Sequence, residues 1–96
     1  MTKNNIAPNN LPDEILSEIT RMASSLMQAR EIAILLDLDI KAFTYIVKNK
    51  PDDPATIAFN KGRLQTKLEL REKIIKLAKA GSPQAEVLAD KYLTQE

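Results

Sequence analysis

The sequence predicts an all-α protein of about five helices, and three observations carry that prediction. The strong helix formers Ala, Leu, Lys and Glu dominate the 96 residues, while Gly occurs only twice and aromatic residues four times (Phe43, Tyr45, Phe59 and Tyr92). Apolar residues recur at spacings of three and four, the period of a helix face. Proline, glycine and short polar residues stand where helices begin and end. A length of 96 residues suits one domain with a modest core. The hydrophobic fraction of 44% and charged fraction of 28% are ordinary for a folded chain.

Residues 1–10 read as a flexible polar tail, with Asn4, Asn5, Asn9 and Asn10 around Pro8. A single helical domain is expected over 11–96. Asn10 can cap a first helix at about 11–27, with Pro12, Asp13 and Glu14 in its first turn, where acidic groups complement the helix dipole. Ile15, Ile19, Met22, Ala23 and Leu26 form its apolar stripe.

A short second helix runs from Ala29 to about Leu36, with Ile32, Ala33, Leu35 and Leu36 apolar. Asp39 is a good cap for a third helix over 40–49, in which Ala42, Phe43, Ile46 and Val47 face inward. Lys41, Thr44, Tyr45 and Lys48 then face outward. The run Lys50-Pro51-Asp52-Asp53-Pro54 closes that segment, because proline disfavours helix in the residue before it.

Asp53 caps and Pro54 opens the longest helix, 54–80. It carries two apolar stripes. One is Ile57, Leu64, Leu68, Ile75 and Ala78, and the other is Phe59, Leu70, Ile74 and Leu77. Both must be buried, against neighbours in the same chain or against another chain. Gly81 ends the helix, Ser82 caps the last one (83–94) and Pro83 opens it. Ala85, Leu88, Ala89 and Tyr92 give that helix its inner face.

The absence of both cysteine and histidine excludes disulfides, Cys/His zinc sites, and Cys or Ser–His catalysis. No catalytic, cofactor or metal residues stand out, and the chain reads as a non-enzyme. Asp37, Asp39, Asp52 and Asp53 are better read as caps and turn residues than as a cation site, since no calcium-loop spacing is present. Gly62 lies between Lys61 and Arg63 without a phosphate-loop pattern, and fits close helix packing or a kink. No run of 18 apolar residues spans a membrane, and the N-terminus lacks the apolar centre of a signal peptide. A soluble, cytoplasmic protein follows.

The net charge of +1 conceals an asymmetry. Residues 1–53 carry six Lys/Arg against eight Asp/Glu, and residues 54–96 carry eight against five. The basic residues Lys61, Arg63, Lys67, Arg71, Lys73, Lys76 and Lys79 crowd the long helix. They can contact phosphates, or form a solvated face paired through Glu69–Lys73 and Glu72–Lys76.

The sharpest pattern is a helix-turn-helix at 29–49. Ala33 is the small residue that lets the second helix cross the first. Asp37, four residues on, tolerates a left-handed backbone. Leu38 plugs the corner and Asp39 caps the following helix. Lys41, Thr44, Tyr45 and Lys48 are then the candidate DNA-facing residues, placed to reach base edges and phosphates in the major groove. A helix-turn-helix transcriptional regulator and a protein-interaction module without nucleic-acid binding are alternatives. A plain corner in a helical bundle has the same geometry.

Residues 28–94 resemble the small terminase subunits of tailed bacteriophages. The likeness lies in the helix-turn-helix and in the stretches Asn60-Lys61-Gly62-Arg63-Leu64, Leu68-Glu69-Leu70-Arg71 and Leu77-Ala78-Lys79-Ala80-Gly81-Ser82-Pro83-Gln84-Ala85. It implies a viral genome-packaging role: binding of double-stranded viral DNA through the helix-turn-helix, and assembly of the chain into a homo-oligomeric ring. It also implies regulation of a separate large terminase subunit that holds the ATPase and nuclease. Leu64, Leu68, Arg71 and Ile75 would be the oligomerisation residues. The alternative for the long helix is that its stripes pack within one monomer.

Overall fold

The computed structural model describes residues 11–95, which form five helices and no strands. These are α1 (Asp13–Ser24), α2 (Ala29–Leu35), α3 (Ile40–Asn49), α4 (Pro54–Lys79) and α5 (Pro83–Thr94). The tail expected at 1–10 and its Asn10 cap lie outside the described residues. No helix among those described is long and apolar enough to cross a membrane. The fold divides into two compact units within α4, between Gln65 and Thr66.

In the first unit, Ile19 and Ala23 of α1, Ile32 and Ala33 of α2, Leu38 of the following turn, Phe43 of α3, and Ala55, Ala58 and Phe59 of α4 form one core. Helix α1 starts at Asp13, and the Pro12 carbonyl takes the N–H groups of Ile15 and Leu16. It stops at Ser24, earlier than periodicity suggests. Leu26 adopts a left-handed φ of 64°. Its N–H bonds to the Ala23 carbonyl and that of Met27 to Met22, which is a Schellman closure. Leu26 therefore leaves the apolar stripe assigned to it and is 51% exposed. A leucine costs roughly 1–2 kcal/mol in this conformation, so nothing in its residue type announces the stop.

Helix α2 ends one residue early, and Leu35, expected inside, is 59% exposed. Only Ile32 and Ala33 of its apolar residues are fully buried.

Of the two expected stripes of α4 only Phe59 is buried as expected, and the rest of the buried face is made of other residues. Ala55, Thr56, Ala58, Phe59 and Gly62 are buried, whereas Ile57, Leu64 and Leu68 are exposed. The reason is close approach. A Cβ on Gly62 would lie 2.2 Å from the Thr20 carbonyl oxygen and 2.8 Å from the Ala23 Cβ. Helices this near can meet only through small residues, so the large aliphatics turn away. The Thr20 hydroxyl uses the same proximity to donate to the Ala58 carbonyl at 2.9 Å. Gly62 thus serves packing.

The second unit is the C-terminal half of α4 with α5. Gly81, at φ 99°, closes α4 through bonds from Gly81 N–H to Ala78 and from Ser82 N–H to Leu77. The Ser82 hydroxyl accepts from the Ala85 N–H, and Pro83 fills the first turn. The Arg71 guanidinium lies 4.1 Å from the centre of the Tyr92 ring and donates to Gln95 Oε1 at 2.7 Å. Among the described residues of this unit only Ala85 is buried. Leu88, expected on the inner face of α5, is exposed, while Ala89 and Tyr92 are half-buried.

Candidate nucleic-acid interface

The corner between α2 and α3 is built by local chemistry. Ala33 is fully buried where the two helices cross. Asp37 takes φ 57°, the left-handed position that its short polar side chain tolerates. The Leu38 N–H then bonds back to the Ala33 carbonyl at 2.9 Å, and the Leu38 side chain plugs the corner at 1% exposure. Asp39 Oδ1 accepts from the Ala42 N–H at 2.9 Å and caps α3.

Phe43 anchors α3 in the core, with Ile46 and Val47 packed against it. A further tie comes from α4. The buried Thr56 hydroxyl donates to the Ile46 carbonyl at 2.9 Å, near the C-terminus of α3. Asp53 Oδ1 accepts from the Ala55 N–H and sets the start of α4 beside it.

These anchors leave one face of α3 outward. Lys41, Thr44, Tyr45 and Lys48 are spaced i, i+3, i+4 and i+7, so they share that face over about 10 Å of helix. Lys41, Tyr45 and Lys48 are exposed and Thr44 is half-buried. The Thr44 hydroxyl donates back to the Ile40 carbonyl at 2.8 Å, which leaves its oxygen as an acceptor. Among the described residues, neither lysine forms a salt bridge, the one such pair being Glu18–Arg21. Asn49, next to this face, donates from its amide to the Tyr45 carbonyl at 3.0 Å.

The acidic residues at the corner have backbone roles. Glu31 Oε1 accepts from the Gln28 N–H ahead of α2, and Asp39 caps α3. Asp37 and Asp39 still border a shallow groove of about 380 Å³ with Ile34, Leu38, Ile40 and Lys41. The negative charge at the leading edge of α3 therefore remains.

The basic residues of α4 do not act as one stripe. Arg63 donates to the Met27 carbonyl at 3.1 Å and lies 5.1 Å from the Phe59 ring centre, so it fastens the α1–α2 connection. Arg71 is engaged with Tyr92 and Gln95. Lys61, Lys67, Lys73, Lys76 and Lys79 are exposed. The expected Glu69–Lys73 and Glu72–Lys76 pairs are not closed, because these long side chains extend into solvent, where ion pairing gains little.

The four residues assigned to oligomerisation do not behave alike. Leu64, Leu68 and Ile75 are exposed, so packing within the monomer does not cover them. Arg71 is occupied inside its own unit. Sequence reasoning missed Thr56 as a support of α3 and Arg63 as a support of the α1–α2 connection. Thr56 sits where a threonine on a helix is unremarkable, and its burial depends on α3 lying alongside. Neither a protein-family model nor a curated protein nor a solved structure matches this chain.

Proposed function

We propose that this chain is a non-catalytic DNA-binding component of viral genome packaging, of the kind small terminase subunits provide. In this role α3 contacts double-stranded DNA, copies of the chain associate with one another, and a large terminase subunit is the protein partner. The observation that carries the DNA-binding part is the outward face of α3. Two unpaired lysines, a tyrosine and a threonine acceptor lie on one side of a helix held by a left-handed Asp37, a buried Leu38 and an Asp39 cap. A helix so presented fits the major groove, with the lysines at phosphates and Thr44 and Tyr45 toward the bases. The exposure of Leu64, Leu68 and Ile75 supports association between copies.

Binding of the full chain to generic duplex DNA, followed by fluorescence anisotropy at several salt concentrations, tests the assignment. Affinity is expected to fall with salt as counterions are released. The combined Lys41→Glu and Lys48→Glu variant should lose binding. Binding that survives this variant would move the contact to the exposed lysines of α4. A parent chain that shows no salt-dependent affinity would refute DNA binding.

A further inference from the structure

The second unit contains about 30 residues, a size at which folded chains generally need help from metals, disulfides or association. Ala85 is its only buried residue among those described. Between α4 and α5 lies an open groove of about 460 Å³ with Ile75, Ala78, Ala89, Tyr92 and Leu93 in its lining. Of these Leu93 is the most exposed, at 83%. The lining carries opposite charges on its two helices: Lys79 on α4, and Glu86 and Asp90 on α5.

We infer that this groove is the seat of a second copy of the chain, in a two-fold contact that places Leu93 of each copy in the groove of the other. Self-complementarity is what points to a copy as the occupant. A two-fold contact repeats every residue pair, so the cationic edge of one chain meets the anionic edge of the other twice. The groove also accepts an aliphatic knob, and the same surface supplies one. This rests on the self-association part of the proposed function and is independent of the DNA-binding part. It moves the contact from the α4 positions Leu64 and Leu68 to the edge formed by α5. A two-fold contact closes on itself, so the unit it builds is a dimer, and the ring that the resemblance implies would need a second, head-to-tail contact.

Sedimentation velocity of the full chain over a hundredfold concentration range tests it. Leu93→Asp should weaken association at least tenfold with helix content unchanged, since that side chain is already exposed. Lys79→Glu alone and Asp90→Lys alone should each weaken it, because like charges then face one another. An equimolar mixture of those two variants should associate again, since in the mixed dimer each reversed charge meets an opposite one. A mixture no better than its components would overturn the two-fold contact. Association that ignores all three variants but is lost in Leu64→Asp with Leu68→Asp would place the interface elsewhere on α4 and leave self-association standing. A parent chain that is monomeric throughout overturns this contact and self-association together, while the anisotropy assay still decides DNA binding.

Discussion

Gly62 is the most demanding position in the first unit, and Gly62→Ala measures how demanding. In an ordinary helix interior this change is stabilising by about 1 kcal/mol, because alanine restricts the unfolded chain and favours the helix. Here the new Cβ would stand 2.2 Å from the Thr20 carbonyl oxygen and 2.9 Å from the Ser24 nitrogen, both backbone atoms that no rotamer change can remove. Helix α1 must withdraw by about 1 Å to restore an ordinary carbon–oxygen contact. That movement lengthens the Thr20–Ala58 hydrogen bond, which contributes about 1 kcal/mol, and disturbs the fully buried Ile19 and Ala23. Overpacking of this kind costs about 1–3 kcal/mol. The balance is a net loss of about 1–3 kcal/mol, even though the substitution improves helix propensity. Urea denaturation followed by circular dichroism should show a lower midpoint with an unchanged slope. An alanine variant as stable as the parent, or more so, would refute the close α1–α4 crossing.

Three other positions give independent checks. Leu26→Gly relieves a left-handed leucine of roughly 1–2 kcal/mol but adds about 0.5–1 kcal/mol of unfolded-chain entropy, so the urea midpoint should rise slightly; a clear fall would mean that the half-exposed side chain matters more than the backbone. Thr56→Val removes the hydroxyl bonded to the Ile46 carbonyl at nearly constant shape. It should cost about 1 kcal/mol, since that carbonyl still accepts from the Lys50 N–H, and hydrogen exchange should quicken at the end of α3. Glu18 is held below its ordinary carboxyl range by its hydrogen bonds from Arg21, with the opposite charge adding to them. A depressed carboxyl stabilises the fold above its ordinary value and loses that contribution as pH falls through the folded value, so Arg21→Gln should raise the Glu18 titration midpoint seen by NMR. An unmoved midpoint would show that the pair is not formed in solution.

Much of the fold was legible because helix ends are written locally. Asp39, Asp53–Pro54 and Gly81–Ser82–Pro83 act within one turn of themselves, and each stands where the structure begins or ends a helix. Asp37 could be recognised for the same reason, since its left-handed backbone follows from its place between Ala33 and Asp39. The candidate site shared this legibility. Lys41, Thr44, Tyr45 and Lys48 were placed together by helical period alone once Phe43 was taken as the anchor. Leu26 broke the pattern because its left-handed turn is imposed by closure of α1, with no glycine or asparagine to mark it.

Local sequence chemistry therefore determined the helical class, most helix limits, the α2–α3 corner and the outward face of α3. Tertiary structure decided which face each helix buries. Along the first-unit part of α4 the large residues Ile57 and Leu64 are exposed, while Ala55, Ala58 and Gly62 hold interior positions beside Phe59, the one large residue of that stretch that is buried. The physical reason is that hydrophobicity ranks a residue by its cost in water, whereas a close helix crossing selects by size. A surface of Gly62 and Ala23 brings two backbones near enough for Thr20 to reach the Ala58 carbonyl, and no larger pair could occupy that space.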